Sequence, residues 1–208
     1  MSERMIIKEV FDGVWKEIEL VYKSGLICSE RHLQSEIFSL LKNNISFSSV
    51  YTVFIGPRVD QNTCENLHGK IPDLIIVNHR SKEIVAVVEL EYVPFSYPAY
   101  KKDLSTLLNF FNNRKAITMP LFTNPNTGLW TNEKFKISES PILAYCVIAK
   151  ADAHVITQYK SGNIKELWGE EGLANYLQYV GAVGDEISFS EELSITNPTP
   201  LLNFALPT

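Results

Sequence analysis

Cysteine is scarce in this chain of 208 residues, and its three copies are scattered. They stand at Cys28, Cys64 and Cys146 without CxxC spacing, which argues against a disulfide framework and a cysteine-based zinc site. Long apolar runs are lacking as well, so we expect neither a signal peptide nor a membrane span. The sequence therefore predicts a cytoplasmic protein without a membrane partner.

Catalytic signatures of several common enzyme classes are also missing. The four histidines show neither HxH nor HExxH spacing, and the chain has no Gly-rich phosphate loop and no GxSxG. This argues against zinc hydrolases, P-loop enzymes and serine hydrolases.

Basic residues are missing from the end of the chain. No Lys or Arg follows Lys165, whereas seven of the 24 acidic residues do, so the net charge of −5 is mostly a C-terminal feature. The body of the chain is close to neutral, which leaves room for local basic contacts. We predict one domain over residues 1–165 and an acidic extension over 166–208 packed on the same domain.

The apolar pattern predicts a series of regular elements. Helices are expected over 6–23, 29–44 and 99–115, strands over 49–55, 72–78, 84–93 and 141–150, and a further helix within 163–180. Turn residues dominate 58–70 and 116–140, which we predict to be loops. From residue 29 onward the order is helix, three strands, helix, strand. This order predicts an α/β (α+β) fold with a mixed central sheet flanked by helices.

Three carboxylates interrupt the two central strands. With residues 79–83 as the hairpin loop, Asp73 lies directly opposite Glu89, and Glu91 projects from the same face as Glu89. Like charges placed opposite one another destabilise a sheet, and burial adds to the cost. The simplest compensating partner is a divalent cation, Mg²⁺ or Mn²⁺, with Asp73 and Glu89 as hard oxygen ligands. The alternative is that the strand ends reach solvent and the acids are exposed edge charges.

A fourth acid, Glu36, is placed on the second predicted helix. It lies about 60° from Leu33, at the rim of the apolar stripe that faces the sheet. It is therefore either a further acid of the site or a solvated helix charge.

The chain resembles the PD-(D/E)XK nuclease superfamily, whose restriction-endonuclease-like core has the order αβββαβ. That order matches residues 29–150. Pro72-Asp73 corresponds to the first half of the motif, and Glu89-Leu90-Glu91 to the second half except at its last position. The resemblance implies hydrolysis of a phosphodiester bond in DNA, or else in RNA, with a restriction or other defence role.

The resemblance also implies roles for individual residues. Asp73, Glu89 and the backbone carbonyl of Leu90 would hold the metal. Glu36 fits the helix acid that often completes the site, and Glu91 or Glu36 would accept or orient a proton of the attacking water.

The departure from the motif is Glu91, which stands where the family has Lys. Either Glu91 acts as a base or metal ligand in an active enzyme, or the position has lost its role and the protein binds without cutting. A third possibility is a migrated lysine: Lys101 borders the apolar face of its helix and could reach the sheet. Lys102 lies about 100° further round, toward solvent. Together with Lys70, both are predicted contacts to nucleic acid.

Three classes of function thus remain open: a metal-dependent nuclease, a catalytically inactive module that binds nucleic acid or protein, and a structural or regulatory protein on an unrelated fold. Sequence specificity would come from the loops 58–70 and 116–140 or from a partner subunit, since no recognition helix or zinc finger is visible. The other possible partner is a second copy of the chain, in a homodimer.

Overall fold

The chain folds into four helices and seven strands within the part that can be described. The computed structural model describes residues 2–57, 71–96, 98, 101–122, 125–129, 131, 133–150, 174–184 and 187–190. The helices are α1 (Glu3–Lys23), α2 (Glu30–Asn43), α3 (Ile45–Ser48) and α4 (Lys101–Asn112). The strands are β1 (Tyr51–Ile55), β2 (Leu74–Asn78), β3 (Glu83–Val93), β4 (Thr118–Pro120), β5 (Lys134–Ala149), β6 (Tyr176–Val183) and β7 (Ile187–Ser190).

All seven strands belong to one mixed sheet in the order β1-β2-β3-β5-β6-β7, with β4 beside the start of β5. The pairs β3–β5 and β5–β6 are parallel, and the other pairs are antiparallel. The predicted α/β class is therefore confirmed. The order α2, β1, β2, β3, α4, β5 also follows the predicted series, with the short elements α3 and β4 added.

Helices cover both faces of the sheet, so the central strands are buried on both sides. One core lies between the sheet and helices α1 and α2, and it includes Leu74, Ile76 and Val88. The second core lies under α4 and includes Ile75 and Val87. Successive residues of β2 and β3 thus enter different cores, as the alternation of side chains requires.

The β2–β3 hairpin contains a bulge that decides which residues lie opposite each other. Asn78 pairs with Glu83 at the turn, so the loop is one residue shorter than predicted. Between Ile84 and Ala86 the pairing shifts by one residue, and Val85 is the extra residue. Beyond the bulge the pairing has the predicted register.

One prediction about secondary structure was wrong, and the segment predicted to hold a helix ends in a strand. Strand β5 begins at Lys134, inside the stretch expected to be a loop, because Phe135 and Ile137 alternate with exposed lysines in the way of a half-buried strand. Residues from Tyr176 onward form β6 rather than the end of a helix. A strand buried on both faces is apolar throughout and lacks a period of two. The rest of that predicted helix, up to residue 173, lies outside the described residues.

The acidic C-terminal stretch contributes to the sheet. Strands β6 and β7 both fall after residue 165, and β6 pairs with β5 over seven residue pairs. No helix among the described residues is long and apolar enough to cross a membrane.

Gly181 of β6 allows a close approach from its neighbour on β7. Gly181 pairs with Phe189, whose ring lies across it and also contacts Trp15 of α1. A Cβ at Gly181 would stand 2.7 Å from the ring and 3.2 Å from Ile148. The absence of a side chain is therefore part of how β7 packs.

We expect Gly181→Ala to lower the free energy of unfolding by about 1–3 kcal/mol, because the Phe189 ring must move out of its packing site. Gly13→Ala is the matched control: it lies on the exposed face of α1, and a Cβ added there would have no neighbour within 4 Å. This change should stabilise the protein by about 0.5–1 kcal/mol. Denaturant unfolding measures both. Equal effects of the same sign would contradict this account of Gly181.

Candidate functional site

Three of the predicted acids lie close together at the open end of the β2–β3 hairpin, opposite its turn. Leu74 of β2 pairs with Val88 of β3, so the preceding residue, Asp73, lies beside Glu89. Glu91 shares the face of Glu89, and this is the face that α4 covers. The structure therefore places Asp73 and Glu89 side by side, at the register predicted from the sequence.

Burial distinguishes these acids from ordinary edge charges. Glu89 is 5% exposed and Glu91 8% exposed, while Asp73 is half-buried. The alternative of solvated strand ends is therefore wrong for Glu89 and Glu91. A buried carboxyl group requires either a partner or a proton to offset its lost hydration.

Hydrogen bonds from three elements hold Asp73. Its Oδ2 accepts the Leu90 N–H of β3 at 2.7 Å. Its backbone carbonyl accepts Gln34 Nε2 of α2 at 3.0 Å and the Gly56 N–H that follows β1 at 2.9 Å. The carboxyl group is thus fixed in place by the surrounding backbone.

Asp73 and Glu89 are joined by a side-chain hydrogen bond, which requires a shared proton. Burial raises the pKa of Glu89 to about 10, with the negative charge of Asp73 adding to the effect. Burial also raises the pKa of Asp73, opposed by the hydrogen bonds from Leu90 and Glu89. At neutral pH, Glu89 is therefore the protonated partner. Its Oε1 atom is buried and has no hydrogen-bond partner.

Leu90 offers a further oxygen at the same place. Its N–H points toward Asp73, and in a strand the N–H and C=O of one residue point to the same side. A continuation of the register places Pro72 opposite Leu90. Proline has no N–H to donate, so the ladder does not occupy the Leu90 carbonyl from that side.

The first turn of α4 adds one positive and one negative group. Burial and the negative charge of Glu91 together raise the pKa of Asp103 to about 7. The positive charge of Lys102 opposes the raised pKa values of Asp73, Glu89 and Asp103. Lys102 is exposed, yet its side chain lies close enough to act on the whole cluster.

Helix α2 brings Glu30 to the cluster rather than the predicted Glu36. Burial raises the pKa of Glu30, and the charges of Asp73 and Glu91 add to it. Gln34, one turn after Glu30, contacts Asp73. Glu36 lies about 160° around the helix from Gln34, on the other side of the buried stripe.

Of the three predicted lysines, Lys102 is the one whose side chain the structure describes. Lys102 acts on the acids although its position on the helix suggested solvent. Lys101 is the first residue of α4, and its side chain lies outside the described part of the chain. Lys70 also lies outside the described residues.

Glu91 has a partner from the neighbouring parallel strand. The Tyr145 hydroxyl of β5 donates to Glu91 Oε2, and the Tyr145 side chain is completely buried. The residue at the motif lysine position is therefore enclosed in the sheet and hydrogen bonded.

Sequence reasoning missed Glu30, Asp103 and Tyr145. The first two left a signal: Asp103 lies one helical turn before the buried Leu107, and Glu30 lies about 60° from the buried Leu33. Charged residues on an apolar helix face point to such a cluster. Tyr145 left no signal, because it lies in the part of β5 that is buried throughout, residues 141–149.

The donor atoms of the cluster can be compared with the ligands that a metal ion requires. Among the described residues, no three His, Cys, Asp or Glu side chains are placed to hold a metal as they stand. The shared proton joins Asp73 and Glu89 directly. The types of donor nevertheless suit a hard cation, because two carboxyl groups lie side by side next to the Leu90 backbone, and one of them has an unpartnered oxygen.

Comparison of the chain with known protein families, curated proteins and solved structures found no match.

The raised pKa of Glu89 predicts how stability depends on pH. Between about 4.5 and about 10, folded Glu89 holds a proton that the unfolded chain has lost, so stability falls as pH rises through this window. Glu89→Gln cannot ionise and keeps a donor toward Asp73. In EDTA, its stability relative to wild type should therefore increase with pH, by up to about 1.4 kcal/mol per pH unit.

Thermal unfolding at a series of pH values measures this difference. Glu139→Gln, at an exposed position of β5, is the control and should show a nearly constant difference. A constant difference for Glu89→Gln as well would mean that Glu89 ionises normally in the folded protein.

Proposed function

We propose that the protein is a metal-dependent phosphodiesterase of the nuclease type that acts on DNA. The observation that carries the proposal is the buried Asp73–Glu89 pair, whose Glu89 Oε1 has no partner. A pair of buried acids that must share a proton destabilises the sheet, and apolar residues would avoid this cost. A function that needs two adjacent carboxylates accounts for keeping them.

The order of the elements supports the same proposal. Pro72-Asp73 precedes β2, and Glu89-Leu90-Glu91 lies on β3, within the series α2, β1, β2, β3, α4, β5. This is the order of the restriction-endonuclease-like core that the chain resembles.

In the proposed site, Asp73, Glu89 and the Leu90 carbonyl would hold Mg²⁺ or Mn²⁺. The cation would supply a bound water of lowered pKa and a counter-charge to the phosphate. Glu89 must lose its proton for this, so binding takes place at the expense of the Asp73–Glu89 hydrogen bond.

The chain's own residues provide the proton transfer and the charge. Glu91 accepts the proton of the attacking water as the water oxygen bonds to phosphorus. The bond from phosphorus to the leaving oxygen breaks, and the leaving oxygen takes a proton from solvent. Lys102 stabilises negative charge on the phosphate, the role of the motif lysine in the family. Its charge already acts on Asp73, Glu89 and Asp103 from the start of α4.

The second candidate is a catalytically inactive module of the same fold that binds nucleic acid or a protein. Two observations favour it: Glu91 stands where the motif has Lys, and no three acidic, His or Cys side chains of the described residues are placed to hold a metal. Binding without cleavage would identify this candidate.

Calorimetric titration with Mn²⁺ tests the metal site. We expect wild type to bind Mn²⁺, and Asp73→Asn to bind at least about 10-fold more weakly, because it loses a charged ligand but keeps an oxygen for the Leu90 N–H. Glu139→Gln should bind as wild type does. Equal binding by wild type and Asp73→Asn would place any bound metal elsewhere.

Cleavage of plasmid DNA tests the reaction. Wild type should cut in Mg²⁺ or Mn²⁺ and not in EDTA, and Asp73→Asn should lower the rate by about 100-fold or more. A parallel assay with RNA distinguishes the two substrates. Intact DNA and RNA with wild type, together with a shifted band in a gel, would favour the inactive module.

The role of Lys102 is tested by Lys102→Ala, which should lower the cleavage rate by about 10- to 100-fold. Lys134→Ala is the matched control, since Lys134 is an exposed lysine at the opposite end of β5. Equal effects of the two variants would indicate general charge attraction instead of a place in the site.

A further inference from the structure

We infer that Tyr145 is a positioning residue that holds the Glu91 carboxylate for proton transfer. The inference rests on the proposed function and assigns a role to a residue outside the motif.

The position of Tyr145 in the sheet brings its hydroxyl to Glu91. In the parallel pairing of β3 with β5, Tyr145 lies beside Glu89, two residues before Glu91 on the same face. Its ring extends along the strand, so that the hydroxyl donates to Glu91 Oε2. One face of the sheet therefore presents the Asp73–Glu89 pair and, directly beyond it, a carboxylate with its own donor.

The buried Glu91 carboxylate needs a hydrogen-bond donor such as the Tyr145 hydroxyl. Glu91 is 8% exposed, so water can do little to stabilise its charge. Asp103 of α4 and Glu30 of α2 also act on it with negative charge. A hydrogen bond from an O–H to a carboxylate is short and strong, so it fixes the direction in which the carboxylate points.

Tyr145 is suited to remain a donor. Burial raises the pKa of Tyr145 well above its ordinary value, and the charge and hydrogen bond of Glu91 raise it further. The hydroxyl therefore keeps its proton wherever the protein is folded and active. Asp103 and Tyr176 are the other titratable groups that act on it.

The neighbouring strand provides a matched control. Tyr176 of β6 is also buried on the α4 face, and its hydroxyl donates to Gln178 Oε1 at 3.0 Å. Gln178 pairs with Tyr145 across β5 and β6. Tyr145→Phe and Tyr176→Phe each remove one buried hydroxyl from the same face. The first loses the hydrogen bond to Glu91, and the second loses the hydrogen bond to Gln178.

We expect Tyr145→Phe to lower kcat by about 10- to 100-fold with little change in KM, because general base catalysis contributes about 10²- to 10⁴-fold and the base is displaced rather than removed. Tyr176→Phe should retain the wild-type kcat and KM. In a Glu91→Met background, Tyr145→Phe should have no further effect. Equal losses in the two tyrosine variants, or an undiminished effect in the Glu91→Met background, would overturn the inference.

A second measurement keeps this inference apart from the proposed function. Thermal unfolding of wild type, Tyr145→Phe, Glu91→Met and the double variant forms a cycle that needs no activity. We expect the Tm changes to be non-additive by about 2 °C or more. If wild type cuts no substrate, the proposed function fails, and this cycle alone decides whether Tyr145 holds Glu91. Additive Tm changes would overturn the inference even in an active enzyme.

Discussion

Two acidic side chains are held against each other at the end of a buried hairpin, and the rest of the site follows from this constraint. The pairing of β2 with β3 leaves Asp73 no position except beside Glu89. Backbone donors fix Asp73, and burial keeps a proton on Glu89. The surrounding groups stabilise these acids: the Tyr145 hydroxyl donates a hydrogen bond to Glu91, and the positive charge of Lys102, on α4, offsets part of the negative charge.

The site combines residues that are far apart in the chain. Glu30 begins α2, Asp103 lies in the first turn of α4, and Tyr145 lies near the end of β5. Each is placed by the packing of its own element on the sheet. The cluster therefore forms only when helices cover both faces of the sheet. The free energy lost by burying the acids is offset by the apolar cores on either side of the central strands. A local loss of stability at a functional site is commonly compensated in this way.

The sequence was most informative where local rules decide the outcome. Alternation along two strands and the register of their hairpin sufficed to place Asp73 and Glu89 on one face, but left open whether the strand ends reach solvent. It was less informative where tertiary packing decides. The choice between Glu30 and Glu36 depends on how α2 crosses the sheet, and the contact of Tyr145 depends on β3 and β5 being neighbours. Strand β6 was not predicted, because a strand buried on both faces shows no alternation.

The bulge at Val85 has a consequence for how the chain tolerates changes in length. Because Val85 is surplus to the ladder, its deletion would leave every cross-strand pair of the hairpin in place. A single deletion between Ala86 and Val88 is absorbed in the same way, because Val85 then moves into the ladder and Glu89 and Glu91 keep their face. A second deletion in this stretch would reverse the parity of the strand and turn Glu89 and Glu91 toward the opposite core.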